Sequence, residues 1–294
     1  MTSTQVVVGY DGSPSSRLAL DWALTEARDR GLSLLIAHAG YVPTPTIAGF
    51  VTLVEPDPDQ LFAADEQLLT DAAERARAQA PGVDIATTLV PGLPAPVLLE
   101  LLSDAALGVV GSRGHGAFDA LLVGSTSLHL AAHASCPVVV VRSPGVLPGP
   151  EAGRVVVGVD GSLDATAALA FAFQEAAFRG RGLTALFAWR APHVESDGWL
   201  TDNAVLSVSD DDAARALSES LSGWSEQYPE VDVTKRVVRG EPVSVLVEAS
   251  AGAELVVVGS RGLGGFRSLL LGSVGHGVLH HAHSAVAIIR APVS

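Results

Sequence analysis

The sequence predicts an α/β fold built on a parallel sheet, and predicts it twice. Short apolar runs rich in Val, Leu and Ile, such as residues 6–8, 107–110 and 138–141, alternate with longer stretches of helical periodicity. That is the pattern of strands covered by helices on both faces. The series then restarts: Val6-Val7-Val8-Gly9-Tyr10-Asp11-Gly12-Ser13 is answered by Val155-Val156-Val157-Gly158-Val159-Asp160-Gly161-Ser162, at an offset of 149. A chain of 294 residues has the length of two domains, and a repeat this long means a duplicated domain rather than a solenoid. The expected division is domain one at 1–143, a linker at 144–153 and domain two at 154–294; the prolines and glycines of the linker continue neither strand nor helix.

In the first half, residues 5–10 read as a strand. Residues 14–30 read as a helix, with Ser13 as N-cap, Pro14 at the first helical position and Gly31 as the stop. A strand at 32–38 is followed by a segment, 40–57, too long for a plain connector and read as a lid or mobile loop. A helix at 60–79, a strand at 83–90, a Gly92-x-Pro94 turn and a short helix to 102 come next. The strand 107–110, a helix near 127–133 and a strand at 137–141 close the half. The second half repeats this as 154–159, 163–179, 183–189, 211–227, 231–238, 242–251, 255–258, 274–281 and 285–289. Matching Gly31 to Gly182 moves the offset to 151 before the second strand, after which it returns to 148.

Composition excludes several functions. The hydrophobic fraction of 48% supports real cores, yet no run of eighteen apolar residues suggests a membrane span. No basic region followed by an apolar stretch opens the sequence, so a cytoplasmic protein is expected. The one cysteine, Cys136, rules out an internal disulfide and a Cys-pair zinc site, and an inert core thiol is expected of it. A net charge of −14 argues against nucleic-acid binding. The single lysine, Lys235, follows no glycine loop, which excludes a Walker-type phosphate site. A phosphate held here is held by backbone N–H groups, hydroxyls or arginine.

One motif occurs in both halves with that chemistry. Gly111-Ser112-Arg113-Gly114-His115-Gly116 is followed, after nine residues beyond Gly114, by Gly124-Ser125. Gly259-Ser260-Arg261-Gly262-Leu263-Gly264 is followed in the same register by Gly272-Ser273. Each copy leaves a buried strand and leads into a helix, whose first N–H groups lack intrahelical partners and attract anions. Ligands of parallel sheets bind beyond the carboxyl ends of the strands. Asp11, Asp160 and both motifs follow strand ends, so pattern and fold agree on one rim per domain.

On these residues the chain resembles the tandem-domain universal stress proteins, over nearly its whole length. The resemblance implies two five-stranded parallel sheets of strand order 3-2-1-4-5 with helices on both faces. It also implies the subgroup that binds ATP, one nucleotide per domain, and a regulatory role in stress response. By the resemblance, Gly111, Gly114, Gly116, Gly124 and Ser125 hold ribose and phosphates in the first site, and Gly259, Gly262, Gly264, Gly272 and Ser273 in the second. Asp11, Gly12 and Ser13, with Asp160, Gly161 and Ser162, face the nucleotide; the two aspartates reach the ribose or a magnesium ion on the phosphates. Ala39 borders the adenine. Its partner by the 151 offset is Arg190, which puts the adenine wall of site two in question, as the change from Ser127 to Gly275 removes a hydroxyl near its phosphates. The last strands are apolar edges that seek partners, and in the family they pair domains. An intrachain pseudo-dimer and a homodimer of chains are expected.

The competing readings are weaker. A dinucleotide fingerprint needs G-x-G-x-x-G after the first strand, and position and register both fail. Asp11 and Asp160 could serve as helix caps. Arg113 and Arg261 could pin phosphate or form surface ion pairs. His129/His133 and His276/His280 stand four apart, but Leu130 and Gly277 occupy the place of a zinc-protease glutamate. No nucleophile elbow is present. A weak ATPase, a phosphoryl or adenylyl transferase, and a ligand-free scaffold are the alternatives to a nucleotide-binding regulator.

Overall fold

The structure is a computed structural model, and it describes residues 4–40, 46–47, 50–51, 61–114, 123–143, 149–190, 209–263 and 270–292. The chain divides into two compact units, Met1–Ser143 and Pro144–Ser294.

The first unit runs β1 (Gln5–Gly9), α1 (Pro14–Arg30), β2 (Ser33–Gly40), α2 (Ala63–Gln79), β3 (Ile85–Pro91), α3 (Pro94–Leu101), β4 (Leu107–Gly111), α4 (Ser125–His133) and β5 (Val138–Val141). All pairings in its sheet are parallel, in the order β3-β2-β1-β4-β5. The segment read as a lid contains a two-stranded antiparallel ribbon, Thr46–Ile47 with Phe50–Val51; its remaining residues, 41–45, 48–49 and 52–57, lie outside the described residues. The apolar runs become the central strands: Val6, Val8, Ile36, Val109, Val139 and Val140 are fully buried. Cys136 is buried beside β5, and burial pushes its thiol up to about 11, so it stays protonated at neutral pH.

The second unit repeats the plan: β6 (Val155–Gly158), α5 (Leu163–Arg179), β7 (Leu183–Trp189), α6 (Asp210–Ser220), α7 (Trp224–Gln227), β8 (Val233–Arg239), α8 (Pro242–Ala249), β9 (Leu255–Gly259), α9 (Ser273–His281) and β10 (Ala285–Ile289). Its sheet is again parallel, ordered β8-β7-β6-β9-β10. One helix expected at 211–227 is two, α6 and α7, broken at Gly223 with φ +82. Trp224 and Tyr228 at that break stack on the buried Phe173 of α5, with ring centroids 5.3 and 5.5 Å away. Residues 149–153 pack into this unit. Buried Glu151 accepts from Thr184 Oγ1 at 2.5 Å and from Arg236 Nη1 at 2.5 Å.

The register of the two halves differs from the 151 offset. Gly31 and Gly180 are both left-handed C-caps, at φ +66 and +59. Tyr10 N–H donates to Ala37 O as Val159 N–H donates to Leu186 O. The offset through the second strand is therefore 149, and the counterpart of Ala39 is Ala188, not Arg190.

Candidate functional site

Each unit has a cavity at the carboxyl ends of its strands. The first, of about 720 Å³, is lined at one end by Ala37, Ala39, Pro94, Leu98 and Val110. At the other end it is lined by Asp11, Gly111, Arg113, Gly114, Gly124 and Ser125. The second, of about 520 Å³, has Leu186, Ala188, Pro242, Leu246 and Val258 at one end and Asp160, Gly259, Arg261, Gly262, Gly272 and Ser273 at the other. Such volumes are those of small-molecule sites, and an apolar floor with a few convergent polar groups is their usual chemistry.

The polar end is built by holding the motif between a strand and a helix start. Ser112 N–H donates to Val141 O (2.8 Å), and Gly124 N–H donates back to Ser112 O (2.7 Å); Ser260 and Gly272 repeat this at 2.7 Å each. The helices that follow, α4 and α9, begin at Gly124 and Gly272 with no side chain capping them. The first helices of the units differ. There Ser13 Oγ accepts from Ser16 N–H and Ser162 Oγ from Ala165 N–H, both at 3.1 Å. The uncapped ends open into the cavities, presenting N–H groups and the positive end of a helix dipole.

The expected site residues divide by what they touch. An added Cβ at Gly124 would find nothing nearer than 3.5 Å, and at Gly272 nothing nearer than 3.4 Å. Their backbones are ordinary, at φ −72 and −70, so no contact inside the protein requires glycine there. At Gly114 an added Cβ would lie 2.6 Å from Asp11 Oδ2, and Asp160 Oδ2 crowds Gly262 in the same way. Asp11 and Asp160 thus brace the loops from the cavity wall. Their Oδ1 atoms accept from Ser13 N–H (3.0 Å) and Ser162 N–H (2.9 Å), and Asp160 Oδ2 accepts from Leu263 N–H (3.1 Å). Gly111 and Gly259 press against Ser15 and Asp164 of the first helices, a packing demand as well as a place on the cavity wall. Gly12, Ser13, Gly161 and Ser162 stand behind the wall in the turn and cap, with Ser13 buried. Gly116 and Gly264 lie outside the described residues.

Ser127 lines the first cavity beside the phosphate end, as expected, and its buried hydroxyl donates to Gly111 O at 2.7 Å, which ties α4 to β4. Three features went unread in the sequence. His38 lines the first cavity, its Nδ1–H donating to Tyr10 O at 2.6 Å. Arg190, which the sequence already places at the second site, lines the second cavity, and the unread feature there is its ion pair with Glu241. Asp164 is buried beneath the second motif, where the first unit has Ser15. Only a charge at one repeat position against a hydroxyl at the other marks that difference in the sequence. Among the described residues, no group of three His, Cys, Asp or Glu side chains could hold a metal, and no helix is long and apolar enough to cross a membrane.

The sequence model of the Universal stress protein family matches residues 2–142 and again 151–290. The chain belongs to the universal stress protein family. Universal stress protein Rv2623 of Mycobacterium tuberculosis is 37% identical over 295 residues, covering 98% of this chain and 97% of its own. Universal stress protein Rv2005c of the same organism is 39% identical over 292 residues, covering 97% and 96%. Among solved structures, a universal stress protein from Archaeoglobus fulgidus superposes with a TM-score of 0.70 at 20% identity, covering 99% of this chain and 97% of that one. These relatives share the tandem plan along their length, and the solved structure shares its fold.

Proposed function

We propose that this universal stress protein is a regulatory protein that binds ATP, one molecule per unit, with phosphates on the motif and adenine at the apolar end. The observation that carries this reading is the pair of uncapped helix starts, each entered through a glycine that no internal contact requires and each opening into a cavity with an apolar far end. Backbone N–H groups fixed in this way suit a polyphosphate without a lysine. Ala39 and Ala188 stand at equivalent positions, so each unit has a small side chain at the end where an adenine would lie. A magnesium ion on the phosphates would find Asp11 or Asp160 as its protein carboxylate, and one carboxylate plus phosphate oxygens is a common magnesium set. Both aspartates already accept N–H bonds from the turn, which favours holding a nucleotide over activating water.

The test follows from the N-cap. Asp is a better cap than Gly by a few tenths of a kcal/mol, and Cβ space exists at both positions. Gly124→Asp and Gly272→Asp should fold with unchanged or slightly raised melting temperature, while each new carboxylate occupies the N–H groups meant for phosphate. Calorimetric titration should give two ATP per wild-type chain, one per single variant and none for the double variant. A wild-type chain that takes up no ATP at millimolar concentration would refute the reading.

A further inference from the structure

The two cradles differ by one buried charge, and we propose that Asp164 makes the second a site for nucleotides with fewer phosphates while the first selects the triphosphate. This rests on the adenine-nucleotide reading above. At the second residue of its first helix the first unit has Ser15, whose Oγ accepts from Arg113 N–H at 3.2 Å. The second unit has Asp164, buried to 5% exposure beneath the same loop. Its Oδ2 accepts from Ser260 Oγ (2.7 Å) and Arg261 N–H (3.0 Å), and its Oδ1 from Ala291 N–H (3.1 Å); Arg261 Nε stands 3.6 Å away. Every one of these contacts is a donor, as a carboxylate requires.

The arginines around each loop make the difference count. Ser112 bonds Val141 O and Ser260 bonds Ile289 O, which places the next residues, Arg142 and Arg290, beside the motifs. In the first unit Arg113 lies close enough to Arg142 for the two charges to repel. Burial and then Arg113 push the Arg142 guanidinium down to about 10, and its Nε and Nη2 have no partner among the described residues. In the second unit burial and Arg261 lower Arg290, and Asp164 pulls the other way. The first loop thus carries two arginine charges against Asp11, and the second two against Asp160 and Asp164. An added anion completes the first arrangement; in the second the protein supplies that anion itself. The Arg190–Glu241 pair lining the second cavity is neutral in sum and does not alter the count.

The experiment uses the full chain with one site blocked, Gly272→Asp leaving the first site and Gly124→Asp the second, titrated with ATP, ADP and AMP. One fixed charge acting on ligands that differ by about two charges should make the ratio of AMP to ATP dissociation constants at least about tenfold larger at the first site. Asp164→Asn, which removes the charge at the cost of one accepted hydrogen bond, should tighten ATP at the second site and tighten AMP by a smaller factor. Ser15→Asp should weaken ATP at the first site and decides the matter if Asp164→Asn fails to fold. Ratios equal within about twofold at the two sites, or an Asp164→Asn chain that melts like its parent and binds ATP no tighter, would overturn the assignment. A wild-type chain that binds no adenine nucleotide removes the cradle itself, an outcome distinct from two cradles with equal preference.

Discussion

At the scale of single residues, the glycines of one motif do unlike work, and substitutions should separate them. Gly114→Ala places a methyl against Asp11 Oδ2. The carboxylate or the loop must move, so ATP affinity should fall by about tenfold or more, with a stability cost of about 1–3 kcal/mol. Titration beside a thermal melt checks both, and intact affinity would mean that Asp11 and the loop do not act together. Ser127→Ala should do the reverse. Losing the bond to Gly111 O leaves a buried carbonyl short of a partner at a cost of about 1–3 kcal/mol, while ATP affinity stays near wild type. A Ser127→Ala chain of unchanged stability and weakened ATP binding would mean that this cavity-lining hydroxyl serves the ligand rather than the tie to β4. These distinctions were invisible beforehand. The spacing of Gly111, Gly114 and Gly124 marks a phosphate loop, but only neighbours from another element tell a glycine that admits a helix from one that admits a ligand. Asp164 was missed for the same reason: its meaning lies in Ser260, Arg261 and Ala291, all about a hundred residues or more away.

At the scale of elements, termini were legible wherever the sequence carries its own punctuation. Ser13-Pro14 and Gly31 bound α1 where expected, and Ser162 and Gly180 do the same for α5. The error over Gly182 arose because Gly180-Arg181-Gly182 offers two stops, and only the left-handed backbone of Gly180 decides. The break at Gly223 was missed because half-buried Trp224, stacked on Phe173, continues past the turn the spacing of buried Ala213, Leu217 and Leu221. The best-capped helix gives a pH prediction. At the start of α6, Ser209 and Asp212 form a reciprocal capping box, with Asp212 N–H donating to Ser209 Oγ at 3.1 Å and Ser209 N–H to Asp212 Oδ2 at 3.2 Å. The Ser209 hydroxyl, then its backbone N–H, hold the Asp212 carboxyl below the usual carboxylate range. A depressed folded-state value means that this contribution is complete above the unfolded carboxylate pKa of about 3.9 and is lost as pH falls below it through the folded value. Asp212→Asn should therefore lower the melting temperature slightly at pH 7 and by less at pH 3. An equal loss at both pH values would show that the charge does not matter to the cap.

At the scale of the whole molecule, the duplication was the most legible feature, since two copies of strand, turn and motif in one order leave few folds to choose from. Charge is where local and global terms oppose each other. The chain carries −14, which repels a polyphosphate at long range, whereas in the proposed first site Arg113 on the cavity wall, with Arg142 near it, would attract the phosphates at short range. Raising ionic strength from about 0.01 M to about 0.15 M shortens the screening length from about 30 Å to about 8 Å. Remote acids are then screened while the arginines beside the loop still act. The association rate of ATP should accordingly rise over this interval, and the dissociation rate should rise as well but less, so that affinity is held or improves. Stopped-flow mixing with a fluorescent ATP analogue across a salt series measures both rates. A rate of association that falls steadily from the lowest salt would mean that the field at the cavity mouth is already positive, and that the net acidity of the chain lies too far from the rim to matter.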